Sequence, residues 1–541
     1  MIWHNRPQRW GDRPLTTVTS GGMMQVEFTG HAGISLTAGD THLLMDAWLS
    51  PRGAFDASWF QLPSNHHFFD RDWSSVTGLI VSHEHLDHLD VDFLNTMPPD
   101  LPFYIPAYGS MLYRRKVGRL TGRRPVILQL EREHPVGDIG VAVWIEDSPI
   151  NQDSVWVFTH EGRSIVHTVD SRLTPHQLDQ ILEYLGGPPD MLLVQCSGAS
   201  WYPLVYEQYA DELKQSRSER KRAQKLGYAL SVARRLNPAT TIICAGPPVF
   251  LDPELQRYNT DPSFPLPSHA KTWFAEQGYI GRVEAPLPGD RIDLATGELI
   301  EDAAMHRRFS WDRTAEYLPG YAAEAAPQIA QVYANAEGLA EGDLYPAFEE
   351  HFTAMFELSP YFNQRIDMTL RFDIEGDGGG IWLVGIGEDC WVSRGAVDSP
   401  FNYRYRFHSR WLKRILFDHV PWEDFFLSLR FLAARKPDVY NDHLLGLLKF
   451  NDRGSLREVE KYERRESDET IVVTTPDGTS YEINRYCPHA GASLEGGTIE
   501  GHILTCLNHH YEFDLDTGVC LTGDCELRTR RLDEIEPSPA G

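Results

Sequence analysis

A short segment rich in histidine and aspartate is the first part of this 541-residue chain that could do chemistry. It reads SHEHLDH over residues 82–88 and follows the apolar run GLIVS, which predicts a strand. A loop at a strand end can aim His83 and His85 at one metal ion, and Asp87 and His88 at a second ion nearby. Imidazole and carboxylate ligands together suit zinc or iron. The segment therefore predicts a metal centre.

A second motif lies near the end of the sequence. Cys487-Pro488-His489 is followed after 16 residues by Cys506-Leu507-Asn508-His509. The pattern C-x-H then C-x-x-H places two loops around a [2Fe–2S] cluster, with two thiolates on one iron and two imidazoles on the other. A zinc site with the same ligands is the alternative. Seven cysteines in 541 residues are too few for a disulfide scaffold, so a metal role is favoured.

The sequence around the second motif, HAGASLEGG and YEFDLDTG, resembles Rieske domains. Rieske proteins of respiratory chains carry an additional disulfide between the cluster loops. Here the two possible partners, Cys520 and Cys525, lie after the second loop and do not fit that bridge. The disulfide-free Rieske domain of oxygenases is the better match. The resemblance implies a reduction potential toward the lower end of the Rieske range.

The first motif resembles the metal motif of the metallo-β-lactamase fold, and the segments GHAG at 30–33 and LMD at 44–46 resemble its opening strands. The resemblance implies that Asp46 orients a ligating histidine and that Asp170 bridges the metals. The usual final histidine has no clear counterpart, and His269 is a distant candidate. Around residues 145–153, where the third histidine is usual, the chain offers Glu146, Asp147, Asn151, Gln152 and Asp153. A carboxylate-rich site, or one with fewer metals, favours iron over zinc.

Three segments are similar to CMP-N-acetylneuraminate hydroxylase, a family that combines the same two modules: DSVWVFTHEGRSIVHTVDSRL, LLVQCSGASWYP and CAGPPVFLDPELQRYN. The similarity implies that Asp153 and Asp170 join the histidine motif as iron ligands. It also implies that Ser197 and Tyr202 line the same pocket. In that family the Rieske domain comes first, whereas here it comes last, so the substrate does not carry over. Glu84 is a candidate general base, with a solvent-exposed carboxylate at a helix start as the alternative role.

The two motifs together predict a reaction that neither predicts alone. A Rieske cluster carries single electrons and has no open position for substrate, so it needs an acceptor. Zinc has no redox chemistry, whereas iron has. We therefore expect an iron-dependent monooxygenase in which a non-haem site of one or two irons activates O₂ and oxygenates a small molecule at carbon or nitrogen.

Two alternatives stay open. One is a metal-dependent hydrolase, with zinc and a metal-bound hydroxide, in which the Rieske domain is regulatory. The other is a non-enzymatic electron-transfer or redox-sensing protein. No Gly-rich dinucleotide motif follows a strand, so the oxygenase would need an external ferredoxin or flavin reductase as electron donor.

The order of predicted elements places these motifs in a multidomain protein. After an N-terminal arm at 1–22, strands interleaved with helices predict an α/β metallo-β-lactamase αββα sandwich over 23–310, with a long helix from about Tyr206 to Leu236. Residues 311–454 predict an α+β middle domain, similar in element order to sterol-carrier-like modules, with a glycine-rich hairpin at 376–380. Residues 455–536 predict an all-β Rieske domain.

The composition of the chain limits the classes of partner that we expect it to bind. The chain has 50 Lys and Arg against 77 Asp and Glu, a formal net charge of −27, which argues against nucleic acid as a partner. No apolar run reaches the ~18 residues of a membrane helix, and the first residues lack the apolar core of a secretion signal. A cytoplasmic protein with a small-molecule substrate is expected, and a homo-oligomer is compatible with the sequence.

Overall fold

The computed structural model describes residues 23–148, 150, 153–198, 200–463, 469–488, 491–507, 511–522 and 525–532. The predicted arm at 1–22 and the predicted cluster ligands His489 and His509 lie outside these residues.

The first domain contains two β-sheets that face each other. Its strands are β1 (Gln25–Gly30), β2 (Gly33–Ala38), β3 (Thr41–Met45), β4 (Gly78–Ile80), β5 (Phe103–Pro106), β6 (Val126–Leu128), β7 (His134–Val136), β8 (Ile139–Ile145), β9 (Ser154–His160), β10 (Arg163–His167), β11 (Met191–Gln195), β12 (Thr240–Cys244), β13 (Arg282–Glu284), β14 (Arg291–Ile292) and β15 (Leu299–Ile300). One sheet has the order β15-β14-β1-β2-β3-β4-β5-β6 and the other β13-β12-β11-β10-β9-β8-β7.

Helices cover the outer face of each sheet. They are α1 (Val91–Thr96), α2 (Leu112–Thr121), α3 (Pro175–Leu185), α4 (Asp211–Leu236) and α5 (Pro267–Glu276). Buried apolar residues of both sheets, such as Ile34 and Trp156, form the core between them, while α1 and α2 pack on one sheet and α3, α4 and α5 on the other. The predicted αββα sandwich is confirmed. The long helix ends at Leu236 as predicted but begins at Asp211 rather than Tyr206.

The strand directions decide where the functional residues lie. β3, β4, β5 and β6 run parallel in one sheet, and β10, β11, β12 and β13 run parallel in the other. In open α/β sheets, ligand-binding residues gather beyond the carboxyl ends of parallel strands. The loop at 82–88 follows β4, and the loops that begin at 168, 196 and 245 follow β10, β11 and β12. We call this side of the domain the catalytic edge, because candidate metal and catalytic residues predicted from the sequence follow these strands.

The middle domain is an α+β unit, as predicted. Its helices are α6 (Ala303–Arg308), α7 (Thr314–Glu337), α8 (Tyr345–Phe356), α9 (Pro360–Ile366), α10 (Ser409–Phe417), α11 (Trp422–Leu427), α12 (Asp442–Phe450) and α13 (Arg453–Glu463). Its strands are β16 (Met368–Glu375), β17 (Gly380–Ile386), β18 (Trp391–Arg394), β19 (Tyr403–His408) and β20 (Leu432–Arg435), in the order β18-β17-β16-β19-β20. β16 and β17 pair antiparallel with Ile374 opposite Gly380, so the glycine run is a hairpin turn.

The middle domain shares one hydrophobic core with loops of the first domain. Trp48, Phe60 and Phe250 come from loops at the catalytic edge and pack in the same buried cluster as Phe372 and Trp422. Burial of aromatic side chains dominates core energetics, at roughly 150–250 Å² each. These aromatic residues therefore form a shared core that fixes the middle domain against the first.

The last domain is all-β from its first strand at Thr470, but the prediction of an all-β domain from 455 is wrong, because residues 455–463 belong to helix α13. Its strands are β21 (Thr470–Thr474), β22 (Ser480–Asn484), β23 (Thr498–Glu500), β24 (Ile503–Thr505), β25 (Glu512–Asp514) and β26 (Thr529–Arg531). They form two three-stranded sheets, β21-β22-β26 and β23-β24-β25, around a small core that contains Leu504 and Phe513. In the described part of the chain, no helix is both long enough and apolar enough to cross a bilayer.

Candidate metal centre and cluster loops

The histidine motif begins two residues after β4, and Asp46 holds it in place. The buried carboxylate of Asp46 accepts hydrogen bonds from the Ser82 amide at 2.8 Å and the Ser82 hydroxyl at 2.6 Å. Its Oδ2 also lies 2.9 Å from Nδ1 of His88. Asp46 therefore fixes the ring of His88 and leaves Nε2 facing the centre, which is the orienting role that the sequence predicted.

All six predicted metal residues come together at the catalytic edge. The structure groups them into three overlapping sets whose ligand atoms lie within 4.8 Å of one another: His83, His85 and Asp153; His83, His88 and Asp170; and His31, Asp87 and His88. Because two sets share His83 and two share His88, the arrangement has the composition of a site for two neighbouring ions. The carboxylate of Asp153 stands where a third histidine is usual.

The donor atoms fit a metal ion. Nε2 of His88 lies 3.6 Å from an oxygen of Asp87 and 3.6 Å from one of Asp170, with no hydrogen bond to either. Nε2 of His83 lies 3.7 Å from Oδ1 of Asp153. Atoms that share one ion at about 2.0–2.2 Å lie roughly 3–3.5 Å apart. Nε2 of His88 and Oδ1 of Asp170 are buried without a hydrogen-bond partner among the described residues, and a cation between them would supply one.

The pKa values of buried groups at the catalytic edge also support a metal ion at this position. Burial raises the pKa of Asp153 to about 8, and the neighbouring charge of Glu146 adds to the effect. Burial alone would lower the pKa of His88, but Asp87 and Asp170 raise it to about 10. Both shifts favour the protonated forms of Asp153 and His88. Metal binding is expected to displace those protons.

His31 completes the set, and the sequence reasoning missed it as a ligand. It lies in the tight turn between β1 and β2 with φ 52°, and its Nε2 lies 3.1 Å from Oδ2 of Asp87. The turn lies close to the end of β3, since a Cβ added at Gly33 would lie only 3.0 Å from the carbonyl oxygen of Asp46. The expected final histidine does not follow β12. His269, the distant candidate, is exposed on α5 and belongs to none of the three sets.

The sequence feature that could have identified His31 as a ligand is its position between two glycines. A histidine between Gly30 and Gly33, directly after the first strand, indicates a side chain that a strained turn presents at a sheet end. The first hairpin and the loop after β4 both end at the catalytic edge. His31, from the start of the chain, therefore joins the metal residues, whereas the later candidate His269 does not.

The middle domain supplies a charged pair that contacts the histidine motif. Oε1 of Glu423, on α11, lies 3.6 Å from Nε2 of His85 and 2.9 Å from Nζ of Lys449. Lys449, on α12, also lies 3.7 Å from Oε1 of Glu84. Burial would lower the pKa of His85, but Glu423 raises it to about 9. The only sequence signal for Lys449 was a lone cation within a leucine-rich helix.

For Glu84 the alternative role is wrong, and for Tyr202 the expected position in the pocket is wrong. Glu84 is not a solvent-exposed carboxylate, because it is 4% exposed and lies beside Lys449. Tyr202 packs its ring against Tyr206 and lies 5.6 Å from the guanidinium of Arg435, so it faces the middle domain rather than the metal residues. Ser197 does lie at the catalytic edge, just after β11, and its buried hydroxyl has no hydrogen-bond partner among the described residues.

The two cluster cysteines are buried at the starts of tight loops. Cys487 is 2% exposed and its amide donates to the Ala492 carbonyl at 2.7 Å. Cys506 is 0% exposed and its amide donates to the Tyr511 carbonyl at 2.8 Å. Buried cysteines on two loops are the arrangement that thiolate ligation of a [2Fe–2S] cluster requires. The imidazole ligands His489 and His509 stay predictions, since both lie outside the described residues.

The second cluster loop lies directly on the catalytic edge. The guanidinium of Arg172, two residues after Asp170, donates to the Leu507 carbonyl at 2.8 Å. The Arg172 amide donates to Glu146 at 2.9 Å. A single residue therefore connects the loop that carries Cys506 with the loop that carries Asp170.

The first cluster loop is also anchored to the metal domain, through α13. A Cβ at Gly491 would lie 2.8 Å from the ring of Tyr462, so loop and ring are in close contact. The Tyr462 hydroxyl donates to Oδ1 of Asp147 at 2.8 Å. Further along, Arg220 of α4 forms an ion pair with Glu512. The cluster end of the last domain thus faces the catalytic edge of the same chain.

Comparison with known proteins identifies two of the domains. Residues 450–532 match the family model of the Rieske [2Fe-2S] domain, and residues 41–242 match that of a beta-lactamase superfamily domain. The chain therefore combines a Rieske domain with a metallo-β-lactamase-fold domain.

Relatives share either the whole chain or part of it. A Rieske 2Fe-2S iron-sulfur protein of Mycolicibacterium smegmatis is 28% identical over 535 residues, which cover 94% of this chain and 100% of the relative. Cytidine monophosphate-N-acetylneuraminic acid hydroxylase of Xenopus laevis is 25% identical over 249 residues, 43% of this chain and 40% of the enzyme. Among solved structures, CmlA, a diiron β-hydroxylase from Streptomyces venezuelae, aligns with 16% identity and a TM-score of 0.35, covering 52% of this chain and 54% of CmlA.

Proposed function

We propose that this protein is an iron-dependent monooxygenase. In this proposal the last domain delivers single electrons to a non-haem iron site, of two irons, at the catalytic edge of the first domain. The product would be a small molecule hydroxylated at carbon or oxygenated at nitrogen. A bound [2Fe–2S] cluster would supply one-electron transfer, and bound iron would supply O₂ activation.

The observation that carries the proposal is the packing of both cluster loops toward the catalytic edge. Arg172 bonds the loop of Cys506 to the segment of Asp170, and Tyr462 links the loop of Cys487 to Asp147. A one-electron carrier without an open coordination position has a use only where an acceptor lies near it. A hydrolase would gain nothing from this contact, because hydrolysis transfers no electrons.

The ligand chemistry supports iron. The described residues of the centre offer four imidazoles and three carboxylates: His31, His83, His85, His88, Asp87, Asp153 and Asp170. A larger share of carboxylate favours harder, redox-active ions over zinc. Similarity to cytidine monophosphate-N-acetylneuraminic acid hydroxylase over 43% of this chain supports the same reaction class.

The chain's own residues have separate tasks around the iron. Asp46 holds His88 by its Nδ1 atom, so that the other ring nitrogen is available. Glu423 and Lys449 form a buried ion pair beside His85 and Glu84, and they close this side of the centre with the middle domain. Excluding water in this way strengthens electrostatic interactions in the site and prevents side reactions. A separate ferredoxin or flavin reductase would deliver the electrons.

The first experiment is an element-resolved metal count on protein purified without oxygen. About four irons per chain and no zinc would support the proposal, as two belong to the cluster and two to the catalytic edge. About two irons with one or two zincs would overturn it in favour of a hydrolase. Two irons with an empty first site would overturn it in favour of an electron-transfer protein.

A kinetic experiment then tests the electron route. The anaerobic protein is reduced with one electron per cluster and mixed with O₂, while the cluster is followed by its visible absorbance. Reoxidation of the cluster should be slower in His85→Ala than in the wild type, because the acceptor site is damaged. His269→Ala is the matched control, since His269 is exposed on α5. Equal rates in all three proteins would contradict electron delivery to the catalytic edge.

A further inference from the structure

Two lysines on the buried face of α4 lie at the rim of the catalytic edge. Lys221 and Lys225, the lysine pair, are four residues apart and therefore share one face of the helix. Nζ of Lys225 donates to the carbonyl of Gly198, which lies three residues after β11, and Nζ of Lys221 donates to the carbonyl of Tyr202 at 2.9 Å. Lys225 is 9% exposed.

Neither member of the lysine pair has a carboxylate partner within the described part of the chain. The carboxylate of Asp261 acts on both ammonium groups, but its two oxygens accept hydrogen bonds from Ser218 and from the Ser263 amide. Burial, together with the charge of Arg172, lowers the pKa of Lys225 to about 7. The buried ammonium of Lys225 contacts carbonyl oxygens and, at 5.9 Å, the ring of Phe264, an arrangement that is costly unless an anion joins it.

Two buried serine hydroxyls lie on the neighbouring strand ends. Ser171 and Ser197, the serine pair, are at most 2% exposed, and their hydroxyls have no hydrogen-bond partner among the described residues. β10 and β11 run parallel with His167 beside Leu193, which brings the segments of Ser171 and Ser197 next to each other. Unused buried donors call for a ligand, because native proteins satisfy nearly all such groups.

We propose that the lysine pair and the serine pair form a binding site for an oxyanion, a carboxylate or phosphate group, of the small-molecule substrate. The site adjoins Asp170, so a molecule held there by its anionic group would extend toward the metal residues. Identifying the ligand as the substrate rests on the proposed function, whereas the oxyanion site itself does not. The chain carries a net charge of −27, so this local positive patch is a departure from its general surface.

The probe is pyridoxal 5′-phosphate, which carries both a phosphate and an aldehyde. In the as-purified full chain at pH 7, the amine of a lysine attacks the aldehyde carbon and water leaves. Borohydride then reduces the imine, and peptide mass spectrometry locates the modified lysine. We expect modification of the lysine pair to exceed that of Lys214, on the same helix, by more than about tenfold, because an ordinary lysine is almost fully protonated at this pH.

Competition separates specific binding from simple reactivity. Inorganic phosphate should protect the lysine pair if the site takes a phosphate, and acetate should protect it if the site takes a carboxylate. Pyridoxal, which lacks the phosphate, should modify the pair more slowly than pyridoxal 5′-phosphate. Modification that neither anion reduces, or no modification of the pair at all, would overturn the proposal.

Variants provide the second measurement. Lys225→Met and Lys221→Met should each weaken protection of the remaining lysine by phosphate or acetate, whereas Lys214→Met should leave it unchanged. Circular dichroism checks the fold of each variant, and the wild-type competition decides the question if a variant does not fold. The assay uses neither O₂ nor reductant. Its failure would therefore remove the oxyanion site, while a metal count with zinc would remove the oxygenase and leave this site in place.

Discussion

The two metal-binding regions of this protein are built in opposite ways. In the last domain, Cys487 and Cys506 lie on two loops separated by a short stretch of chain and supported by a core of about a dozen residues. In the first domain, the ligands come from the turn after β1 and from loops after β4, β8 and β10, with a further contact from the middle domain. The first type of site depends on a local motif. The second depends on the assembly of the whole fold.

The largest expected effects come from removing one site and leaving the other. Cys506→Ser should abolish the cluster's visible and paramagnetic spectra and remove about two irons, because a serine oxygen is a poor substitute for the thiolate. The metal at the catalytic edge should stay bound. His85→Ala should do the reverse. Metal analysis together with electron paramagnetic resonance checks both, and loss of both sites in either variant would show that the two are not independent.

His31→Ala tests whether a residue from the first hairpin belongs to the centre. We expect metal affinity at the catalytic edge to fall by more than the 10–100-fold that loss of an outer partner causes, because a ligand itself is lost. The measurement is metal retention during titration with a chelator. Unchanged retention would mean that His31 only contacts Asp87.

Asp46→Asn keeps the shape of the residue and removes its charge. The amide cannot accept from Ser82 and His88 as the carboxylate does, so the ring of His88 loses its fixed orientation. A fall of about 10–100-fold in metal affinity is expected, with no change in the cluster spectra. Asp179→Asn, on the exposed face of α3, is a matched control.

Arg172→Met gives the smallest effect and concerns the boundary between the two regions. It removes the hydrogen bond to Leu507, which is worth roughly 1.5–3 kcal/mol for a charged donor. We expect both metal contents to stay at the wild-type level. Reoxidation of the reduced cluster by O₂ should slow by about tenfold, the equivalent of ~1.4 kcal/mol. A normal rate would show that this contact does not influence electron delivery.

The same comparison explains what the sequence could predict. The cluster cysteines and the HxHxDH motif can be recognised from the spacing of their residues alone, so the sequence was sufficient to predict both. Asp153 and Asp170 were predicted from a family resemblance, and the structure brings both to the motif. His31, Glu423 and Lys449 lie 54, 338 and 364 residues from His85, so only the tertiary fold reveals them.

Residue burial was the other limit of sequence reasoning. The alternative role considered for Glu84 was a solvent-exposed carboxylate at a helix start, and its burial excludes that role. The middle domain covers that position and places Lys449 beside it, which no local pattern in SHEHLDH indicates. Tyr202 was assigned to the pocket by the family resemblance, but its ring lies beside the guanidinium of Arg435 in the middle domain.

The shared aromatic core has a consequence for how the chain unfolds. Trp48 and Phe60 of the first domain pack in one cluster with Trp422 of the middle domain, and the Trp59 indole donates to the Leu427 carbonyl at 2.7 Å. Neither unit can lose its structure without exposing the core of the other. The first and middle domains should therefore unfold together in one calorimetric transition. The last domain has its own separate core and should unfold in a second transition.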